Sequence, residues 1–288
     1  PNYKYYKLFK SLEMPYNSWK EIISFSDKLN VQICFDIFGS KSLKYSNELG
    51  VKIIKIHSTD LNNTNLLKKV NKLEAKKVIL SVGGGTSSEI IKSLKYLDNV
   101  KDLVVQVGFQ GYPTKLSENQ LNRIIYISNL LKEKKVSFSF ADHHDGPLNE
   151  TIAISSAAFS LGYSVFEKHF TVDKKMNLED SESALDLYEF KSYIQSINIL
   201  PNLYNSKNSE FFGMSNNEKK YRINVRKDFV SSRNIKKNKI LKLSDISLKR
   251  TNSATDFDSI DDILGKKLTR NLKKDTKLLN KYLKKNEE

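Results

Sequence analysis

The four histidines of this 288-residue chain share one kind of address. His57 follows Lys55-Ile56, His143 and His144 follow Asp142, and His169 closes Glu167-Lys168-His169, each at the downstream end of a short apolar run. Imidazoles ligate divalent metals and carry protons near neutral pH. If His143 and His169 converge on one cation, coordination positions stay open, as a Lewis acid needs to polarise a carbonyl or hold an activated water. Asp142 or Glu167 would then orient the ring nitrogens from behind. For His57 and His144 the packed or hydrogen-bonded histidine is the stronger reading.

A second constellation is cationic and hydroxylic. Lys55 and Ser58 end one apolar run, and Ser81 with Gly83-Gly84-Gly85 ends the next. Glycines let backbone N–H groups approach an anion, and a helix starting at Ser87 would offer its positive end. The same glycines serve equally well as a tight connecting turn. A third stretch, Gly108-Phe109-Gln110-Gly111-Tyr112-Pro113-Thr114, carries donors and acceptors at Gln110 and Tyr112 that suit a hydroxylated ligand, or is a structural loop. Asp180 and Glu182 follow the last run closely enough to fold over such a site.

The elements that must position these residues alternate. Six β-branched-rich runs, at 31–38, 52–57, 78–82, 103–107, 136–140 and 164–170, read as buried strands. Between them, 65–73, 87–97, 117–132 and 151–161 carry apolar positions at helical spacing. Such a βαβα series requires right-handed crossovers and a parallel sheet. A doubly wound sheet would place a Gly-rich turn after its first strand, whereas Gly83–Gly85 follows the third, so the prediction is an α/β fold of the (β/α) TIM-barrel type. Eight strands are needed, and a helix at 16–29 opens without one before it. The expectation is a barrel over 1–200 lacking roughly its first two βα units. A helix at 184–200 leads into an Asn/Ser/Gly-rich linker at 201–221, then a small domain of short strands and turns at 222–288.

Composition bounds the rest. The net charge of +15 is concentrated in residues 201–288, where 22 Lys/Arg face 11 Asp/Glu. Those lysines lack aromatic platforms spaced for bases, so the distribution argues for a solvated basic face rather than a nucleic-acid partner. No apolar run is long enough to span a bilayer, and the opening residues do not resemble a secretory signal. The single cysteine, Cys34, is expected as a reduced, packed thiol, pointing to the cytoplasm.

Taken in order and spacing, KIHSTD (55–60), KKVILSVGG (76–84), GFQGYPT (108–114), ADHH (141–144), EKHFTVDK (167–174) and EDSESAL (179–185) resemble the sialic acid synthase family. Segments 230–250 and 263–279 are similar to that family's small C-terminal domain, of type III antifreeze-like fold. The resemblance implies condensation of phosphoenolpyruvate with N-acetylmannosamine or a related sugar, forming a nine-carbon 2-keto acid with Mn2+ or Mg2+ as cofactor. It implies His143 and His169 as metal ligands, with Glu167 also catalytic. Lys55, Ser58 and Ser81 would bind phosphoenolpyruvate, and Asp60, Gln110, Tyr112 and Asp180 the sugar. Arg250 would be delivered into the partner's site of a domain-swapped homodimer. Four departures stand against the pattern. Ala141 replaces the serine of Ser-Asp-His, Asp36 stands where threonine is usual, Thr251 follows Arg250 in place of proline, and the opening strand with its glutamate and a later lysine is absent. An anion at position 36 would repel phosphate. The alternative is a non-catalytic or truncated family member that binds a sugar or serves in assembly.

Overall fold

A computed structural model of the chain describes residues 3–73, 77–108, 111, 113–204, 213–253 and 256–284. It divides into two compact units, residues 1–204 and 205–288.

In the first unit, β1 (Cys34–Ile37), β2 (Ile53–Ile56), β3 (Lys77–Ser81), β4 (Leu103–Gly108), β5 (Ser137–Asp142), β6 (Val165–Phe170) and β7 (Ala184–Leu185) form one sheet in chain order. All neighbours are parallel. Each crossover therefore steps to the next strand, the winding of a (β/α) barrel. In a flat sheet β2 and β6, four places apart, would be separated by about 19 Å. Yet Lys55 Nζ on β2 lies 2.8 Å from Glu167 Oε1 on β6. The sheet is curled into a partial barrel, and among the described residues no ladder joins β7 back to β1.

Side chains alternate across a strand, so register assigns the two faces. Ile54, Ile56, Val78, Leu80, Val105, Val107 and Phe140 are buried in one core with Leu66, Leu67, Val70, Ile90, Leu94, Ile124, Ile127, Ile154 and Ala158 from the crossover helices. Each buried Val, Leu, Ile or Phe among them contributes roughly 1.5–3 kcal/mol. The intervening positions form the concave face, through the register Asp36↔Lys55, Ser81↔Gln106, Gln106↔Ser139 and Ala141↔Glu167.

Four expectations need correction. The helix predicted at 184–200 runs only over Leu187–Asn198, because Ala184–Leu185 pairs with His169–Phe170 as β7 and Asp186 then caps the helix through Tyr188 N and Glu189 N. Local apolar spacing could not separate a two-residue strand from a helix. The stretch 117–132 is broken at Gln120, whose φ is +45°, leaving a 3-10 turn at Leu116–Glu118 and a helix at Asn122–Leu130. A helix at Asn216–Val225 spans the boundary drawn between linker and small domain. Cys34 is exposed, not packed, because β1 is an edge strand.

The second unit pairs β8 (Lys227–Ser231) with β9 (Ile246–Arg250) antiparallel. Isolated bridges and turns enclose a separate core of Ile235, Leu241, Ile246, Phe257, Ile263, Leu268, Leu272, Leu278 and Leu283. Buried Asp245 ties the turns together, receiving Arg233 Nε at 2.9 Å, Lys239 Nζ at 3.2 Å and the backbone N–H of Lys242 at 3.1 Å. No helix among the described residues is long and apolar enough to cross a membrane.

Candidate active site

The concave face is polar where a closed barrel is normally packed with branched apolar side chains. Lys55 Nζ donates to Glu167 Oε1 at 2.8 Å and Oε2 at 3.0 Å, and lies 3.2 Å from Asp36 Oδ2. Gln106 Nε2 donates to Glu167 Oε2 at 3.1 Å and lies 3.3 Å from Ser139 Oγ. Burial alone would lower the ammonium's pKa, but the charges of Glu167 and Asp36 outweigh it and hold Lys55 above its ordinary value. Burial also works to raise the Glu167 carboxyl, and Lys55 with Gln106 overcomes it, holding Glu167 below the usual range.

At the carboxyl ends of β5 and β6 the rings of His143 and His169 face each other edge to face, with centroids 5.3 Å apart at 81°. Desolvation lowers the His169 pKa, against the opposing pull of Asp180 and Glu167, which favours the neutral ring. Two imidazoles bound to one cation at about 2.1 Å place their ring centres about 5 Å apart, so this pair fits a shared divalent ion. Among the described residues no group of three or more His, Cys, Asp or Glu side chains gathers as a cation cage.

The segment carrying His143 is held from several sides. Its carbonyl accepts from Thr114 N at 3.0 Å and Ser183 Oγ at 2.7 Å. His144 is buried beneath, Nδ1 3.1 Å from Thr114 O and Nε2 2.8 Å from Glu150 Oε2. Both its nitrogens face oxygens of the protein, which removes it as a metal ligand. The expected role of Asp142 behind a histidine ring is corrected: Oδ1 accepts from His144 N at 2.8 Å and Oδ2 lies 3.3 Å from Lys168 Nζ. Glu167 likewise directs its oxygens at Lys55 and Gln106. His57 accepts from Thr59 N at 3.3 Å, capping the 3-10 turn Ser58–Asp60, with its ring against Phe38.

Ser58 and Asp60 occupy that turn after β2, with Asp60 accepting from Asn63 Nδ2 at 2.8 Å, and Ser81 is buried at the end of β3. All three sit at the same end of the sheet as the histidines. The glycine run is built as a turn: Gly84 has φ +74°, and Gly85 N donates to Val82 O at 3.0 Å. A Cβ on Gly85 would lie 2.6 Å from Leu61 Cδ1. The helix after it is capped by Thr86 and Glu89 in a reciprocal box, so the N–H groups of these two residues are already satisfied. Asp180, at φ +61°, brings Oδ2 within 3.9 Å of His169 Nδ1, while Glu182 lies in the 3-10 turn Ser181–Ser183 beside it. Gln110 and Tyr112 lie outside the described residues. Arg250 ends β9 in the second unit. Gln106, Ser139 and Lys168 were not singled out from sequence; the available signal was a polar side chain at period two within an apolar strand.

Residues 1–209 match the NeuB family model, and residues 229–283 match the SAF domain. The chain belongs to the NeuB family. It is 31% identical over 273 residues to the N,N'-diacetyllegionaminic acid synthase of Campylobacter jejuni, covering 93% of this chain and 78% of that protein. It is 26% identical over 292 residues to the N-acetylneuraminate-9-phosphate synthase of Drosophila melanogaster, covering 93% and 76%. In structure it is similar to a putative spore coat polysaccharide biosynthesis protein E from Chromobacterium violaceum, with TM-score 0.78, 17% identity and coverage of 99% and 83%. The NeuB assignment agrees with the site's position, since barrels of this kind work at the carboxyl ends of their strands. In this NeuB chain those ends carry Lys55, Ser58, Ser81, His143 and His169.

Proposed function

We propose that this NeuB chain condenses phosphoenolpyruvate with N-acetylmannosamine or a related N-acetylated amino sugar, yielding a nine-carbon 2-keto sugar acid and phosphate. The observation that carries the reading is the convergence of Lys55, Glu167 and Gln106 on a concave face rimmed by the paired rings of His143 and His169. The names of the two synthase relatives support the same class of product.

In this reaction the enol carbon of phosphoenolpyruvate forms a bond to the aldehyde carbon of the open-chain sugar. The aldehyde oxygen takes up a proton, water adds to the phosphate-bearing carbon as positive charge develops there and gives up a proton, and the tetrahedral product breaks its C–O bond to phosphate to leave the ketone. Lys55, with Ser58 and Ser81 at the same strand ends, binds and orients the phosphoenolpyruvate anion. Glu167 holds the Lys55 ammonium in place and is itself fixed by Gln106. Asp60 and Asp180 would contact the sugar hydroxyls and acetamide, a role the sequence resemblance extends to Gln110 and Tyr112. His143 and His169 would hold Mn2+ or Mg2+, which when bound supplies Lewis-acid polarisation of the aldehyde. The same reading includes a homodimer in which Arg250 serves the partner's site, and a cytoplasmic setting.

Phosphate release from phosphoenolpyruvate, measured with Mn2+ and a panel of N-acetyl hexosamines, tests the proposal. Turnover that depends on metal and falls at least about a hundredfold in His143→Ala and His169→Ala is the expected outcome. No turnover with any sugar would overturn it. That result would favour a non-catalytic sugar-binding or assembly member of the family, a reading supported by the two carboxylates already on Lys55 and by the methyl group of Ala141.

A further inference from the structure

Lys55 Nζ donates to Glu167 Oε1 at 2.8 Å and Oε2 at 3.0 Å and is ion-paired with Asp36 Oδ2 at 3.2 Å, so two carboxylates already share the one ammonium. An incoming oxyanion must compete with both carboxylates for this ammonium. The two carboxylates are not equivalent. Glu167 is held twice by Lys55 and once more by Gln106 Nε2 at 3.1 Å. Asp36 has one contact, the longest of the three, and its other oxygen, Oδ1, is enclosed without a hydrogen-bond partner. It stands on edge strand β1, directly beside Lys55 in the parallel register.

We propose that Asp36 is the exchangeable partner of Lys55, a carboxylate that is ion-paired with the ammonium at rest and gives way to an incoming oxyanion by taking up a proton from solvent. Anion binding at this site is therefore coupled to proton uptake, and acidification opens the lysine. No bond between heavy atoms forms or breaks; one proton passes from hydronium or buffer to an Asp36 oxygen, forming its O–H, as the anion takes that carboxylate's place beside Lys55 Nζ. The titratable groups that face Asp36 are Lys55 on β2, His57 just beyond it, Glu167 across the face on β6 and Cys34 on its own strand. Desolvation raises the Asp36 carboxyl above its ordinary pKa, against the opposing charges of Lys55 and His57, so the protonated form is within reach on binding. The inference rests on the anion-binding half of the proposed function and not on turnover.

Sulfate, a dianion throughout the range, is titrated calorimetrically into the full chain between about pH 6 and about pH 8, in buffers of differing ionisation heat. The expected result is an affinity that rises as pH falls, approaching about tenfold per unit, with close to one proton taken up per anion. In Asp36→Asn the slope and the uptake vanish, and binding at the alkaline end exceeds wild type at least about tenfold. His57→Gln keeps both, and Lys55→Met loses the pH-dependent binding. Asp36→Ser, checked for native circular dichroism, replaces Asp36→Asn if that variant does not fold. A flat profile in wild type, a slope that survives in the Asp36 variants, no gain on removing the carboxylate, or no sulfate binding to either protein would overturn the proposal. Phosphoenolpyruvate titrated in parallel separates the two readings: proton-linked binding without turnover removes the synthase assignment and leaves the role of Asp36 standing.

Discussion

Lys168 and Asp142 are 3.3 Å apart with side chains 2% and 1% exposed, the most enclosed opposite charges of the barrel unit. Lys168 Nζ also donates to His144 O at 2.9 Å, so one ammonium fixes both the residue before and the residue after His143. Desolvation lowers the Lys168 pKa even against the attraction of Asp142. Removing one member of such a pair strands a charge in low dielectric. Lys168→Met is expected to cost roughly 3–5 kcal/mol, and adding Asp142→Asn to recover a large part of it. Urea unfolding midpoints of the two variants check this, and a double variant no more stable than the single one would show that the pair is not the source of the loss. Lys55 differs in kind, because its partners lie on a face that a ligand can enter.

At the level of elements, the decisive contact is between the ends of β4 and β5. Gly108 pairs with Ala141, and a Cβ at position 108 would lie 2.6 Å from Ala141 O and 3.0 Å from Ala141 Cβ. A backbone carbonyl cannot rotate aside as a side-chain tip can, so the strands must part. Gly108→Ala is expected to cost about 1–3 kcal/mol and to lower the thermal midpoint. Because Asp142 and His143 follow Ala141 directly, the same substitution moves the histidine pair apart. A variant with the wild-type midpoint would contradict the close approach. Ala141 also bears on a motif departure: any larger residue there would face Gly108 as well as Glu167.

For the whole chain, the relevant fact is two compact units with separate cores, one between a parallel sheet and its helices and one among short strands and turns. Each core lies within its own unit, and each unit has its own polar centre, Lys55 in the first and Asp245 in the second. Calorimetry of the full chain is expected to resolve two unfolding transitions, with the second unit's more sensitive to salt because it holds most of the basic excess. A single cooperative transition would show that the units stabilise each other.

Strand identity and order could be read from the residues, because β-branched runs separated by amphipathic stretches admit few architectures once crossovers must be right-handed. The addresses of His143 and His169 followed from that, since strand ends in such a fold gather at one mouth. Short-range pattern failed where tertiary pairing overrules it: Ala184–Leu185 has helical company in sequence but becomes a strand only because His169–Phe170 offers an edge. It also failed for Lys55 and Glu167, which are far apart along the chain and looked like separate anion and metal groups, while Asp36 was read only as repelling the anion. Curling of the sheet turns them into one three-way ion contact. Sequence periodicity says which face a residue occupies; the distance between two residues on that face depends on sheet curvature, which no local stretch of chain encodes.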